Sequence, residues 1–338
     1  MAFRSKQKLD SLLRDVSRSF YLTLRVLPSA IRPQISLAYL LARTSDTIAD
    51  TELVLLDQRL AALESLRGRI AGENSVPPQF GEFARHQEAS AERALLEKCE
   101  TSLSLLGDLA VADQDLVRAV LQTIIGGQEL DLRRFAGSNS ANIVALKGAN
   151  ELDDYTYRVA GCVGEFWTQM CRAHLFASAD LDMTSLLRNG VRFGKGLQLV
   201  NILRDLPRDL RMGRCYLPFD QLQTSGLSPA DLLEASNEPR LRSVYDAWLD
   251  QAEAHLAAGW LYIKTLPRRS VRVRLACAWP LLLGGRTLAL LRVGKVLDPA
   301  RRIKVSRGEV RSMVWRSVLY YPWPKQWERL YVQTCNRH

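Results

Sequence analysis

A chain of 338 residues is long enough for one large domain or two smaller ones, and 47% hydrophobic with 24% charged residues supplies a sizeable core, which excludes a disordered or low-complexity protein. A net charge of +10 favours anionic partners: nucleic acid, phosphate-bearing substrates or anionic lipid. No nucleic-acid-binding signature accompanies that charge, so nucleic acid is not expected as a partner.

In chain order, the opening MAFRSKQKLDSLLRD lacks the apolar stretch of a secretory leader. Cys99, Cys162, Cys171, Cys215, Cys277 and Cys335 form no CxxC pair, and four histidines are too scattered to complete a zinc pattern. A reducing cytoplasm, with free thiols packed as small hydrophobes, is the expectation. Apolar residues then recur at three- and four-residue spacing, as in Leu9, Leu12, Leu13 and Val16 and again in Leu37, Leu40, Leu41 and Ile48. That period predicts helices, and alternating strand-like runs are nearly absent. Ser228-Pro229-Ala230-Asp231 reads as an N-cap with proline at the first helical position. Leu275 to Leu291 is the nearest approach to a membrane span, but Pro280, Gly284-Gly285 and Arg286 interrupt it, so it is expected to be a buried core helix. With no fixed-period repeat to support a solenoid, the expectation is one all-α domain over residues 1–338, its helices packed around a cavity.

Two acidic segments stand out. In Tyr39-Leu-Leu-Ala-Arg43-Thr-Ser-Asp46-Thr-Ile-Ala-Asp50, helical spacing puts Asp46 and Asp50 on one face, with Arg43 and Tyr39 near the same stripe. Such a pair is either a solvated acidic face or a Mg²⁺ site, since Mg²⁺ takes one or two carboxylates plus phosphate oxygens and water. The second segment runs from Gln198 through Asn201, Arg204 and Asp205 to Asp209. There a polar stripe lies among apolar neighbours, as a cavity lining does. Pro207 predicts a kink or stop near Asp205, which would leave Asp209 off the stripe. Facing each other across a cavity, the two segments would hold several Mg²⁺ ions and clamp diphosphates, easing departure of a diphosphate leaving group.

The segments, taken in order, resemble the squalene/phytoene synthase family. Ser17-Arg18-Ser19-Phe20 looks like its SRSF element, and Tyr39…Arg43…Asp46…Asp50 like its first aspartate-rich motif. Tyr155-Thr-Tyr-Arg-Val-Ala-Gly161-Cys-Val-Gly164 is similar to its Y-x-x-x-VAG-x-VG segment. Gln198…Asn201…Arg204-Asp205…Asp209, followed by Arg214-Cys-Tyr216-Leu-Pro218, is similar to the second motif and its trailing R-x-Y-L-P. The resemblance implies an all-α isoprenoid synthase bundle with a deep central channel, joining two farnesyl diphosphates head to head with Mg²⁺. It assigns metal to Asp46, Asp50, Asp205 and Asp209. It assigns substrate diphosphate to Ser17, Arg18, Ser19, Arg43, Gln198, Asn201, Arg204 and Arg214, and catalytic roles to Tyr155, Arg43 and Tyr39. Glu129 and Asp131 fall where relatives often carry a G-x-x-x-D element.

Late elements resemble the squalene synthase branch. Cys277-Ala-Trp-Pro280 looks like its C-A-x-P, and Lys304-Val-Ser-Arg307-Gly308 like its basic loop, which implies NADPH with Lys304 and Arg307 near its phosphates. Leu275 and Ala276 stand where eukaryotic members carry aromatics. A synthase that stops at the cyclopropyl intermediate, or a phytoene-type synthase, is the alternative without NADPH. A non-catalytic helical relative is a further alternative, opposed by the intact aspartates. The aromatic, basic tail from Trp315 to His338 either lies on an anionic membrane surface as a peripheral contact or packs against the domain.

Overall fold

The computed structural model describes residues 11–17, 20–298, 300 and 303–335. The chain divides into two compact units: Met1–Ala136 with Phe166–Ala177, and Gly137–Glu165 with Ser178–His338. Arg18 and Ser19 of the SRSF-like element lie outside the described residues.

The first unit runs through α1 (residues 11–17), α2 (Phe20–Val26), α3 (Arg32–Asp50), α4 (Leu56–Ala71), α5 (Gly81–Arg85), α6 (Ser90–Glu97), α7 (Cys99–Gly107) and α8 (Val111–Arg134). Helix α3 starts with Pro33 in its first turn, where the missing N–H costs nothing. It lies against α4, α7 and α8 and is buried on most sides by residues such as Leu37, Leu40, Leu41 and Ile48. Each such side chain contributes roughly 1.5–3 kcal/mol on burial. Past Pro33, only Tyr39, Ala42, Arg43, Asp46 and Asp50 of this helix escape full burial. The hydrophobic packing therefore leaves the acidic stripe as the open face of the helix.

The second unit holds β1 (Val144–Leu146), α9 (Ala149–Thr156), a π-helical turn (Tyr157–Gly161) and the start of α10 (Cys162–His174). It continues with α11 (Met183–Arg211), β2 (Arg214–Pro218), α12 (Phe219–Thr224), two 3₁₀ turns (Ala230–Leu233 and Ala235–Asn237), α13 (Glu238–Thr265), α14 (Val271–Val293), α15 (Arg307–Tyr320) and α16 (Pro324–Cys335). Helix α11 is the spine of this unit, packed on α13, α14 and the π turn.

Three details depart from the sequence expectations. The chain is mostly helical, but β1 and β2 form a two-stranded parallel sheet, so the R-x-Y-L-P segment is a strand. Gly213, at φ +80°, ends α11 in the left-handed conformation that glycine adopts without penalty and turns the chain into β2. Secondly, α11 neither stops nor breaks at Pro207. Proline cannot donate to the carbonyl four residues back, which is Leu203, but the buried Tyr245 hydroxyl of α13 donates to that oxygen at 2.9 Å. Asp209 thus stays one helical turn beyond Asp205. Thirdly, Ser228 caps as expected, its Oγ accepting from the Asp231 N–H at 3.4 Å, but what it opens is a 3₁₀ turn, Ala230–Leu233, and the next long helix starts at Glu238 with Pro239 in its first turn. Helix α15 runs from Arg307 to Tyr320, started by a capping box between Ser306 and Glu309.

The five cysteines other than Cys335 are buried, and all six are free thiols. Helix α14 is long and apolar enough to cross a membrane, yet 72% of its apolar window is buried inside the protein. It is a core helix that carries Pro280 within its length.

Candidate active site

The first unit carries the first aspartate-rich segment. On α3, Asp46 and Asp50 sit one turn apart on the open stripe, and Asp46 accepts a hydrogen bond from Nε2 of Gln128 on α8. The surrounding protein, with the charge of Asp50 second, pushes the Asp46 carboxyl up from 3.8 to about 6. Water still reaches 46% of the Asp46 side chain, which moderates that rise without reversing it. Arg43 lies 3.9 Å from Asp46 and 2.5 Å from Glu92 of α6. Burial opposes the Arg43 charge, but Asp46 and Glu92 together outweigh it and hold the guanidinium fully ionised. On α8, the buried Glu129 is paired with Arg67 at 3.1 Å, while its Oε1 and the Oε1 of Gln128 have no hydrogen-bond partner. Buried acceptors without donors normally have a ligand, ion or water to satisfy them. Tyr39 is half-buried on the same stripe as Arg43.

The second unit carries the second acidic segment. Gln198, Asn201, Asp205 and Asp209 follow one face of α11, while Leu199, Val200, Ile202, Leu203, Leu206 and Leu210 are buried around them. Arg204 grips Asp205 with two hydrogen bonds, at 2.9 and 2.5 Å, and this bond is the main reason its pKa rises further. The Asn201 amide approaches Oε1 of Gln198 at 3.4 Å. Tyr155, on α9, stacks on Tyr216 of β2 at 4.8 Å between ring centroids. Two motifs 61 positions apart thus meet through their aromatic rings, and Arg214 is half-buried two residues before Tyr216 on the same strand.

The small residues of the third motif serve close packing. A Cβ on Gly164 would lie 2.0 Å from the Gly190 carbonyl oxygen, and one on Gly194 would lie 2.1 Å from that of Ala160. Main chain therefore meets main chain where the π turn crosses α11. Such π turns often mark functional sites. In this turn Tyr157 donates to Glu165 at 3.0 Å, with the Lys195 ammonium 5.8 Å from its ring centre.

Ser17 is buried, and its hydroxyl donates to the Leu13 carbonyl, so its proton is spent inside its own helix. Lys304 and Arg307 are exposed at the start of α15. No local signal marks Glu92, Tyr216 and Tyr245 as partners of these groups. Gln128 was adjacent to a signal, since it lies within Gly127-Gln-Glu129-Leu-Asp131.

Among the described residues no three His, Cys, Asp or Glu side chains gather as a metal cluster. The donors fit Mg²⁺ nonetheless, because each motif offers two carboxylates and Mg²⁺ fills its remaining positions with phosphate oxygens and water. The raised Asp46 pKa records burial of that carboxylate first and the nearby charge of Asp50 second, with Arg43 opposing both. For NADPH phosphates, Lys304 and Arg307 fit as two exposed cations. The Ser306 hydroxyl and amide are already committed to Glu309.

A mostly helical fold with an aspartate-rich stripe in each unit is that of an isoprenoid synthase. The sequence matches the squalene/phytoene synthase family over residues 13–309, and the chain belongs to that family. It is 30% identical over 256 residues to a presqualene diphosphate synthase of Rhodopseudomonas palustris, covering 75% of this chain and 77% of the relative. It is 29% identical over 317 residues to a bifunctional lycopene cyclase/phytoene synthase of Phaeosphaeria nodorum, covering 90% of this chain but 49% of that protein. This chain thus spans about half the length of that bifunctional relative. Its fold resembles TcSQS solved with a ligand, with a TM-score of 0.78, 19% identity and coverage of 98% and 97% of the two chains. It also resembles a dehydrosqualene synthase, at a TM-score of 0.68 and 21% identity over 94% and 97%.

Proposed function

We propose that the protein is a Mg²⁺-dependent synthase that condenses two farnesyl diphosphates head to head into presqualene diphosphate, then rearranges and reduces it to squalene with NADPH. The observation that carries this reading is the pair of acidic stripes, Asp46 with Asp50 on the open face of an otherwise buried α3, and Asp205 with Asp209 on a polar face of α11 among buried leucines.

Mg²⁺ held at these four aspartates supplies the charge that lets a diphosphate depart. The arginines work as exchangeable partners. Arg43 rests on Glu92 and Arg204 on Asp205, and both turn to diphosphate oxygens when substrate arrives, which frees Asp205 for metal. Gln198, Asn201 and Arg214 would orient the diphosphate, a role the family resemblance also gives to Arg18 and Ser19, whereas the Ser17 hydroxyl is committed to the Leu13 carbonyl. Breaking the C–O bond of the donor leaves an allylic cation. The double bond of the acceptor attacks that cation, and loss of a proton closes the cyclopropane. To Tyr155, held flat on Tyr216, and to Tyr39 this reading gives the roles of stabilising the cation with ring electrons and receiving that proton. Lys304 and Arg307 would hold NADPH by its phosphates, and the cofactor would supply hydride chemistry.

A second reading ends the reaction at presqualene diphosphate. It is favoured by the relative of that activity, which aligns over three quarters of this chain. Product analysis of the purified protein with farnesyl diphosphate and Mg²⁺, with and without NADPH, separates the two. Squalene formed only with NADPH supports the first reading, and presqualene diphosphate in both reactions supports the second. If geranylgeranyl diphosphate is consumed and farnesyl diphosphate is not, both give way to a phytoene-type synthase.

A further inference from the structure

Helix α15 is packed on one side and bare on the other. Met313 and Ser317 are buried, and Ser317 receives the indole N–H of Trp279 on its hydroxyl and that of Trp327 on its carbonyl. The opposite face carries Arg311, Trp315 and Leu319 at four-residue intervals with Val318 beside them, and Trp323 follows in the turn to α16. Trp315 is 73% exposed, Trp323 53%, Leu319 52% and Val318 49%. Isolated exposed apolar residues are ordinary, but four in one row with two tryptophans form an unpartnered face.

The charge around this face has one sign. From Lys304 to Cys335 there are six basic residues (Lys304, Arg307, Arg311, Arg316, Lys325, Arg329) and two acidic ones (Glu309, Glu328). Both acids are already paired with cations from other helices, Glu309 with Arg286 at 3.0 Å and Glu328 with Lys264 at 3.2 Å. Arg311 and Lys325 are exposed and in no ion pair among the described residues.

We infer that this face seats the protein on an anionic lipid surface, with Trp315, Val318, Leu319 and Trp323 in the acyl–headgroup boundary and Arg311 and Lys325 among lipid phosphates. Tryptophan favours that boundary because its ring is apolar and its N–H is polar. A second copy of the chain fits less well. It would set Arg311 and Lys325 against like charges, and the row offers on the order of 500 Å² where a stable interface buries about 800 Å² per partner. The inference rests on this surface alone and is independent of the proposed chemistry, so its test needs no turnover.

The test is sedimentation of the purified chain with phosphatidylcholine vesicles, with and without phosphatidylglycerol. Binding is expected to require phosphatidylglycerol and to weaken with salt. Both Trp315→Ser/Leu319→Ser and Arg311→Glu/Lys325→Glu should lower it about tenfold or more, with unchanged circular dichroism. In the unmodified protein, brominated acyl chains should quench tryptophan fluorescence, a readout that survives any misfolding of the variants. Binding that is indifferent to both double variants, or absence of quenching, overturns the inference. It is equally overturned by a concentration-dependent dimer that Trp315→Ser/Leu319→Ser abolishes, which would assign the face to a second copy.

Discussion

Removing the Tyr245 hydroxyl tests whether α11 owes its continuity to a residue outside it. Tyr245→Phe leaves the buried Leu203 carbonyl without a donor, because Pro207 has no N–H to offer. An orphaned buried acceptor costs about 1–3 kcal/mol. Pro207→Ala restores the helical N–H and relieves the ring, so by itself it should stabilise. The proline penalty of ~3 kcal/mol is already partly recovered by Tyr245, which leaves a gain of roughly 1–2 kcal/mol. In the Pro207→Ala background, Tyr245→Phe should cost less than ~1 kcal/mol, since Leu203 then keeps one hydrogen bond. The cycle therefore predicts a coupling of about 1–2 kcal/mol, well above the error expected for independent sites. Urea denaturation of the four proteins measures it, with hydrogen exchange along 203–211 localising the effect. The half-saturating Mg²⁺ concentration should rise in Tyr245→Phe and return in the double variant, because Asp205 and Asp209 regain their common face. Equal costs of Tyr245→Phe in both backgrounds would falsify the compensation.

Further outcomes follow from the two half-sites. Asp46→Asn or Asp205→Asn should lower turnover by ~10²-fold or more with circular dichroism unchanged, and near-normal turnover in both would remove the metal assignment. Asp46 binds a proton in the folded chain between 3.8 and about 6 that the unfolded chain does not bind, so without divalent cation stability should fall as pH rises through that window and level off above it. Melting temperatures with and without Mg²⁺ test this: Asp46→Asn should flatten the pH dependence and erase the stabilisation by Mg²⁺. Below about 6 a proton competes with Mg²⁺ at Asp46, so the half-saturating Mg²⁺ concentration should climb as the medium is acidified. Gly164→Ala places a methyl 2.0 Å from the Gly190 carbonyl oxygen and should cost ~1–3 kcal/mol through separation of the π turn from α11, read as a lowered urea midpoint.

The sequence was most legible where one helix carries the whole signal. The stripes of α3 and α11 follow from helical spacing alone, since their apolar neighbours have to be buried. Pro207 was misread because its compensation comes from Tyr245, 38 positions later, and no local rule pairs them. Glu92 and Gln128 share that character: ordinary surface-type residues, each set beside a motif only by helix packing. The Arg214–Pro218 strand was hidden because a two-stranded parallel pair needs few residues, and its partner, Val144–Leu146, has three. The glycines of the third motif are visible in the sequence, but their reason lies in the facing carbonyls of Gly190 and Ala160, which leave no room for a Cβ at Gly164 or Gly194.

The path of the chain also bears on how the protein is made. The first unit is not complete at Ala136, because it reclaims Phe166–Ala177 after an excursion into the second. That returning segment brings His174, whose Nε2 lies 2.7 Å from the buried Asp113 carboxylate, itself held by Gln34 at 2.9 Å. On the ribosome, Asp113 therefore waits more than sixty residues for its second partner. A gene fragment ending near Ala136 would release a chain with that carboxylate half-satisfied, so the first unit is a poor candidate for expression as a contiguous module.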